Sequence, residues 1–284
     1  MKYIFTLLFA LSISTTTFGN VSKLERDALL KLHESTNGKM WKIAWDLSAP
    51  VDTWYGVDVQ NNKVISLILV NNNLVGAIPN EIINLVNLQT LNLHKNQLEG
   101  LIPVMIGELK EIKVLDLSFN KLFGSIPTSI CEMTNLKELK LYMNTLSGAL
   151  PQKIGFLVQL EVLSLFNNDL AGKIPTSFYN LTSLKIALLN SNRFIGELSV
   201  DVNKLIALEN FSLFDNKMSG PIPLTLDKLS RLKEMNISYN AFNGNVEKNV
   251  ALLDTLNMTM FNEEGLAVLL NIKADRNSAI VSEE

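Results

Sequence analysis

The sequence repeats itself every 24 residues, and this period constrains the fold more than any other feature. Eight units follow one another without insertion from residue 64 to residue 255. Each reads approximately L-x-x-L-x-L-x-x-N-x-L-x-G-x-I-P-x-x-I-x-x-L-x-x, as in LEVLSLFNNDLAGKIPTSFYNLTS at 160–183. Seven columns are apolar in all eight units, although at 47% apolar content a column reaches that by chance only about 0.2% of the time. Such a chain folds by stacking equivalent units.

Each unit contains one segment with the period of a β-strand. The L-x-L segment alternates apolar and polar residues, which places Leu165 inside and Ser164 and Phe166 outside in the unit at 160–183. Because the units are equivalent, we expect a curved parallel sheet on the concave side, with strands about 4.8 Å apart. The sequence therefore predicts an α/β solenoid with irregular and 3-10 segments on the convex side.

Three further columns hold residue types with a specific structural use. Asn closes the strand segment in every unit, where an inward amide can bond backbone groups that the turning strand leaves free. Gly fills another column without exception, as expected where the backbone takes a positive φ. Pro follows in six units and ends the extended segment. We expect a buried ladder formed by Asn72, Asn96, Asn120, Asn144, Asn168, Asn192, Asn216 and Asn240.

The repeat resembles the leucine-rich repeat in its plant-specific variety. This resemblance covers residues 64–255 and implies a right-handed horseshoe or superhelix with one strand per repeat on its concave face. Residues 20–63 resemble the N-terminal cap of the same family. TWYGVDV at 53–59 matches the cap pattern C-x-W-x-G-V-x-C of plant receptors, except that Asp52 and Val59 replace the cysteines. Cysteine-free caps of this type are similar to secreted leucine-rich repeat proteins of bacteria.

A helix is predicted at the start of the cap. Ser22 and Glu25 have the spacing of a capping box, and Asn37-Gly38 provides the stop. We expect this helix to cover the open edge of the first strand. The chain's three tryptophans also fall in the cap, and we interpret them as its core rather than as a ligand site. They are Trp41, Trp45 and Trp54.

The two ends of the chain carry different patterns. Residues 1–19 combine Lys2, an apolar run of about eleven residues and small residues at Thr17 and Gly19, which predicts a cleaved secretory signal peptide. The apolar run is too short for a membrane span, and no longer one follows. At the other end we predict a C-terminal cap at 256–273, with a short helix over 264–272, and a disordered tail at 274–284.

Composition and residue pattern argue against several functions. Lys and Arg total 25 against 28 acidic residues, a net charge of -3, so the basic excess that nucleic-acid binding needs is missing. One cysteine, Cys131, allows no intrachain disulfide and does not favour a zinc site. His33 and His94 fall in different parts of the predicted fold, and no Ser or Cys has the setting of a nucleophile. We expect no enzyme activity, metal or cofactor.

The outward positions of the strands carry the functional information, because no structural requirement fixes their identity and a curved sheet presents them together. Aromatic residues run through these columns from the third unit to the eighth. They would form a larger apolar patch than a monomer exposes without a use. Alternatively, the rings only pack against each other along the sheet. The predicted ligand-binding residues are His94, Phe119, Tyr142, Met143, Phe166, Leu188, Phe214 and Tyr239.

We expect from this surface a secreted or cell-surface, non-catalytic protein that binds a macromolecule, preferably a protein, on its concave face. An envelope adhesion or polysaccharide-binding module would use the same aromatic residues and stays open. The resemblance to plant proteins implies a third class, inhibitors of secreted hydrolases, which use an acidic concave patch. Here the acidic and basic residues of that face are interspersed: Asp116, Glu138, Asp215 and Glu234 with Lys95 and Lys140.

Overall fold

The computed structural model describes residues 21–247 and three further short strands. A single α-helix in these ranges, α1 (Lys23–Ser35), precedes all the strands. In chain order the strands are β1 (Val57–Gln60), β2 (Lys63–Ile68), β3 (Val75–Ala77), β4 (Thr90–Asn92), β5 (Gln97–Gly100), β6 (Val114–Asp116), β7 (Lys121–Gly124), β8 (Glu138–Lys140), β9 (Thr145–Gly148), β10 (Val162–Ser164), β11 (Asp169–Gly172), β12 (Ile186–Leu188), β13 (Arg193–Gly196), β14 (Asn210–Ser212), β15 (Lys217–Pro221), β16 (Glu234–Asn236), β17 (Ala241–Asn243), β18 (Asn245–Glu247), β19 (Thr259–Phe261), β20 (Ala267–Leu269) and β21 (Ser278–Ile280).

Each repeat contributes one strand to each of two sheets. In the concave sheet, the eight even-numbered strands from β2 to β16 pair in parallel in chain order, and β1 adds to β2 at the edge. The odd-numbered strands from β3 to β17 form a second eight-stranded sheet from the segment around the recurrent glycine. The expected leucine-rich repeat solenoid is confirmed. The second sheet is an addition that the sequence pattern did not predict.

The apolar columns form one continuous core between the sheets and the convex side. Leu163 pairs in register with Leu139 and Ala187 on the neighbouring strands, and all three are fully buried. Burial of each such leucine contributes roughly 1.5–3 kcal/mol. The convex side is built from 3-10 turns, as predicted: Asn80–Asn84, Ile106–Glu108, Thr128–Glu132, Ile154–Phe156, Thr176–Asn180, Val200–Lys204 and Leu224–Lys228. No helix in the described ranges is long and apolar enough to cross a membrane.

The predicted asparagine ladder is confirmed and joins neighbouring repeats, except that Asn96 and Asn120 are half-buried and the Asn72 amide bonds Ile43 of the cap. Asn144 Nδ2 donates to the carbonyl of Leu141 in its own repeat at 3.0 Å and to that of Leu117 in the preceding repeat at 3.1 Å. Asn144 Oδ1 accepts from the N–H of Leu122 at 2.9 Å. The same three bonds recur along the ladder, so each amide satisfies backbone groups at the point where the chain leaves the concave sheet. The amides of Asn168, Asn192, Asn216 and Asn240 form these bonds, each with one carbonyl of its own repeat and with one carbonyl and one N–H of the preceding repeat.

The convex turns associate in pairs, which gives part of that side a period of two repeats. Ser129 Oγ donates to the Val104 carbonyl at 2.6 Å and accepts from the Gly107 N–H at 3.3 Å. A Cβ on Gly107 would lie 2.1 Å from the Ser129 carbonyl oxygen, so only glycine permits this approach. The next pair of turns has the same contacts between Ser177, Gln152 and Gly155.

The N-terminal cap follows the prediction in its helix but not in how it covers the sheet edge. Ser22 and Glu25 form the capping box, and α1 ends before Asn37, whose backbone is left-handed. Strand β1, rather than the helix, occupies the edge of the concave sheet. Asn61 and Asn62 between β1 and β2 both have positive φ, which is the backbone conformation of a tight two-residue hairpin turn. Helix α1 packs instead against β3 and the first convex turn.

The three tryptophans form the core of the cap, as predicted. Trp45 stacks on Trp54 with ring centroids 4.7 Å apart and meets Trp41 edge-on at 4.8 Å. All three rings are buried, and their N–H groups donate to backbone carbonyls. His33 completes the cluster at 5.2 Å from Trp41. Burial, assisted by the charge of Lys39, lowers the pKa of His33.

Acidification should therefore destabilise the cap. Because the pKa of His33 is lower in the folded protein than in the unfolded chain, the unfolded chain binds the proton more readily, and stability falls as pH drops through about 6.5. The melting temperature should fall between pH 7.5 and pH 5.5, and this fall should be smaller in His33→Gln than in the wild type. An equal decrease in both proteins would contradict this role for His33.

The C-terminal segment differs from the sequence prediction where the structure describes it. Within the predicted helix over 264–272, β20 instead pairs antiparallel with β19. Within the predicted disordered tail, β21 pairs antiparallel with β18. The other residues of these predicted segments, and the predicted signal peptide at 1–19, lie outside the described residues.

Removing one amide of the ladder should destabilise the solenoid. Asn144→Ala leaves the Leu122 N–H and the Leu117 and Leu141 carbonyls without that partner, and we expect a loss of about 1–3 kcal/mol in the free energy of unfolding. Ser147→Ala is the matched control, because Ser147 is exposed on β9 of the same repeat and should change stability by less than about 0.5 kcal/mol. Equal changes in denaturant midpoint would refute the structural role of the amide.

Candidate functional site

The eight predicted site residues lie along one rim of the concave sheet. Leu188 is the last residue of β12, whereas the other seven lie two or three residues beyond the strand ends and not on the strands themselves. Backbone bonding between repeats continues there, since the Met143 N–H donates to the Phe166 carbonyl at 2.9 Å. The side chains thus keep the spacing of the sheet, about 4.8 Å per repeat. We call this surface the rim face.

Four of the predicted residues form one ring cluster at the N-terminal end of the rim face. Tyr142 and Phe166 stack with centroids 4.4 Å apart and an interplanar angle of 13°. Phe119 meets Tyr142 edge-on at 5.7 Å. His94 lies 5.4 Å from Phe119 and 6.1 Å from Tyr142. Phe119 is 41% exposed and the other three rings are half-buried, so the cluster packs internally while still presenting surface.

The remaining predicted residues lie outside this cluster. Phe214 and Tyr239 form a second ring pair, edge-on at 5.0 Å, in the last two repeats. Leu188 is half-buried between the two aromatic groups, and Met143 accepts a hydrogen bond at its sulfur from Asn167. The structure therefore divides the predicted patch into two aromatic groups separated by one repeat without rings on this rim.

Three of these side chains stand on left-handed backbone. Phe119, Met143 and Tyr239 have φ values of 54°, 55° and 56°. Every residue of their column has a positive φ. Three of the other five repeats place Asn or Asp there, which tolerate it better, and the remaining two place Lys95 and Ser191. A large apolar residue in this conformation is strained by roughly 1–2 kcal/mol. This column can be located in the sequence, because it immediately precedes the invariant asparagine of the repeat.

Lys95 occupies the same left-handed column and offers a direct test of that strain. Lys95→Asn should raise the free energy of unfolding by about 1 kcal/mol, because asparagine takes the left-handed conformation more readily than lysine. Lys121→Asn is the control, since Lys121 is an exposed first residue of a strand with no positive φ. If both variants shift the denaturant midpoint alike, the backbone of Lys95 is not the source of strain.

Serines predicted to face outward are buried. Ser164 is 4% exposed because its short side chain lies between Lys140 and Leu188 on the two neighbouring strands. Ser118 and Ser238, which immediately precede Phe119 and Tyr239 of the rim face, are also buried. The prediction that these positions are exposed is wrong, since larger neighbours one repeat away on the same face cover them.

Beneath the ring cluster, Ser118 connects a histidine to a buried carboxylate. Ser118 Oγ lies 2.8 Å from His94 Nδ1 and donates to Asp116 Oδ1. The same carboxylate oxygen accepts from the Ser118 N–H at 3.1 Å, and Asp116 is 7% exposed. Serine bridges the other two groups here, whereas in a hydrolytic triad histidine is the bridge. This arrangement orients His94 and does not activate the serine.

Lys140 and Glu138 form an ion pair on the concave sheet. Lys140 Nζ lies 2.6 Å from Glu138 Oε2 on the same strand. Burial is the largest influence on the pKa of Lys140 and lowers it, but the hydrogen bond and the charge of Glu138, with the charge of Asp116, raise it overall. Glu138 and Asp116 are therefore not available as an open acidic patch.

The described residues contain no cluster of three or more His, Cys, Asp or Glu side chains that could hold a metal ion. Cys131 lies on the convex side in the turn at Thr128–Glu132 and is 3% exposed. Burial raises the pKa of its thiol to about 11. A thiol with this pKa is protonated at neutral pH and unreactive as a nucleophile.

Comparisons with known families match the repeats. The Leucine rich repeat model matches residues 62–122, and a second Leucine Rich Repeat model matches residues 159–181. Polygalacturonase inhibitor 1 of Arabidopsis thaliana is 30% identical over 120 residues, which cover 40% of this chain and 36% of the inhibitor. The chain thus spans about a third of the length of this curated relative. A plant relative does not support the expected likeness to secreted bacterial proteins.

Two solved structures are similar over larger parts of the chain. The leucine-rich repeat ectodomain of the Arabidopsis thaliana receptor kinase GASSHO1/SCHENGEN3, in complex with CASPARIAN STRIP INTEGRITY FACTOR 2, is 37% identical with a TM-score of 0.61; the match covers 62% of this chain and 21% of that one. A plant ice-binding protein is 25% identical with a TM-score of 0.56, and the match covers 79% of this chain and 89% of that one.

Proposed function

Because the chain is a plant-type leucine-rich repeat protein related to polygalacturonase inhibitors and receptor ectodomains, we propose that it is a secreted or cell-surface, non-catalytic protein that binds a protein partner on its rim face. The partner contacts the two aromatic groups and the surface between them. The proposed contact residues are those predicted from the sequence: His94, Phe119, Tyr142, Met143, Phe166, Leu188, Phe214 and Tyr239.

The strained backbone of the rim face carries this proposal. Phe119, Met143 and Tyr239 occupy left-handed positions that favour Asn, and packing the sheet would not require large side chains there. Strain of this kind persists at functional sites, where the residue serves another requirement. Phe119 and Tyr239 are also 41% and 44% exposed, as expected of side chains that a partner covers.

The ring geometry favours protein over polysaccharide. Tyr142 and Phe166 cover each other by parallel stacking, and Phe119 and His94 pack around Tyr142. Polysaccharide binding would lay a sugar ring on an open aromatic face, whereas apolar side chains of a protein pack against ring edges as well. An envelope adhesion or polysaccharide-binding module is therefore the weaker proposal.

Inhibition of a secreted hydrolase is a second candidate, favoured by the similarity to polygalacturonase inhibitor 1. The acidic patch considered for this role is reduced, because Asp116 is buried against Ser118 and Glu138 pairs with Lys140. Asp215 and Glu234 remain exposed. An assay of polygalacturonase with and without the purified protein tests this candidate separately.

Truncating either aromatic group should weaken partner capture. Phe166→Ala and Phe214→Ala should each reduce affinity roughly thirtyfold, because an anchor side chain in an interface contributes about 2 kcal/mol or more. The immobilised protein would first be used to isolate its partner from the culture medium of its own source, and the purified partner would then be titrated against each variant.

Lys110→Ala is the control for this titration. Lys110 lies on the convex side in an exposed ion pair with Glu132, so its loss should leave both capture and melting temperature nearly unchanged. If Lys110→Ala abolished capture while both phenylalanine variants retained it, the rim face would not be the binding surface and its rings would only pack the sheet.

A further inference from the structure

The hydrogen bonds around His94 determine which of its ring nitrogens is free. The Ser118 hydroxyl donates its one proton to Asp116, so it can only accept from His94 Nδ1. Neutral His94 therefore carries its proton on Nδ1 and an acceptor lone pair on Nε2. No residue in the described part of the chain bonds Nε2, and the half-buried ring lies on the rim face beside Phe119.

Protonation reverses what this nitrogen can bind. The neutral Nε2 lone pair repels a carboxylate, whereas the protonated ring presents an N–H donor and a positive charge. Asp116 lies 4.0 Å from Nδ1 and is joined to the ring through Ser118. Protonation of His94 thus changes this position from carboxylate-excluding to carboxylate-binding.

The charges around His94 favour an anion at the same place. The exposed Lys95 is adjacent in the chain and forms no ion pair with any residue that the structure describes. On the neighbouring repeats, Asp116 is bound to Ser118, and Glu138 pairs with Lys140. Tyr142 is the remaining titratable group at His94. Lys95 is therefore an exposed cation next to His94 in the chain, outside the ion pairs of the described residues.

We propose that His94 and Lys95 form a carboxylate-binding subsite at the N-terminal end of the rim face, which binds when His94 is protonated. This inference rests on the proposed function and names one chemical group of the partner, an acidic side chain or chain terminus next to apolar residues. At the other end, Asp215 is exposed beside the Phe214–Tyr239 pair, about 24 Å away at 4.8 Å per repeat. The opposite charges at the two ends orient the partner.

A peptide library tests the subsite without knowledge of the natural partner. Random heptapeptides that lack His and Cys and have an acetylated N-terminus, so that no ligand group titrates appreciably in this range, are captured by the full-length protein at pH 5.5 and at pH 7.5. Peptides captured at pH 5.5 should be enriched in Asp and Glu about tenfold over those captured at pH 7.5, as one charge-assisted hydrogen bond provides. Lys95→Gln should lower the Asp and Glu content of the captured peptides at both pH values.

His94→Asn is the matched variant, because its amide can still donate to Ser118 but does not titrate. It should keep the wild-type melting temperature at pH 7.5 and lose the pH-dependent enrichment. Acid enrichment that is equal at both pH values, or that persists in His94→Asn, would overturn the subsite alone. If the wild-type protein captured no more peptide at either pH than the Phe166→Ala/Phe214→Ala double variant, peptide binding by the rim face would be overturned. The subsite would then be overturned with it.

Discussion

The repeats of this solenoid depend on the asparagine amide that closes each concave strand, which is buried in six of the eight repeats. When the chain turns out of the concave sheet, it leaves carbonyl and N–H groups that no strand partner can reach. The amide of Asn144 satisfies two such carbonyls and one N–H, and these groups belong to two different repeats. The ladder thus joins neighbouring repeats as well as closing each turn, and it fixes the rim on which the candidate binding residues stand.

The turn that the ladder stabilises also has an energetic cost, and that cost supports the proposed binding surface. The residue before each ladder asparagine must adopt a left-handed backbone. Asn167 and Asp215 suit that conformation, whereas Phe119, Met143 and Tyr239 do not. Large side chains at these positions are thus structurally unfavourable, and they lie beyond the ends of the concave strands, on the proposed binding surface.

His94 shows how a buried network can give specificity to this surface. The rings around it provide apolar area, which binds many partners, but the relay to Asp116 fixes which nitrogen faces outward. Recognition of a charged group then depends on one proton at one atom. The apolar and polar parts of the rim face come from neighbouring repeats and are brought together only by the 24-residue stacking.

The sequence by itself determined the repeat, the concave strands, the asparagine ladder, the tryptophan core of the cap and the identity of the rim residues, because each follows from a period or from the bonding capacity of a residue type within one unit. Only the tertiary structure decided how neighbouring units interact. The second sheet, the paired turns at Gly107 and Ser129 and the burial of Ser164 all arise from contacts one repeat away. The 24-residue pattern makes all units look alike, so these contacts depend on side-chain size and backbone φ in adjacent repeats, which the shared pattern does not contain.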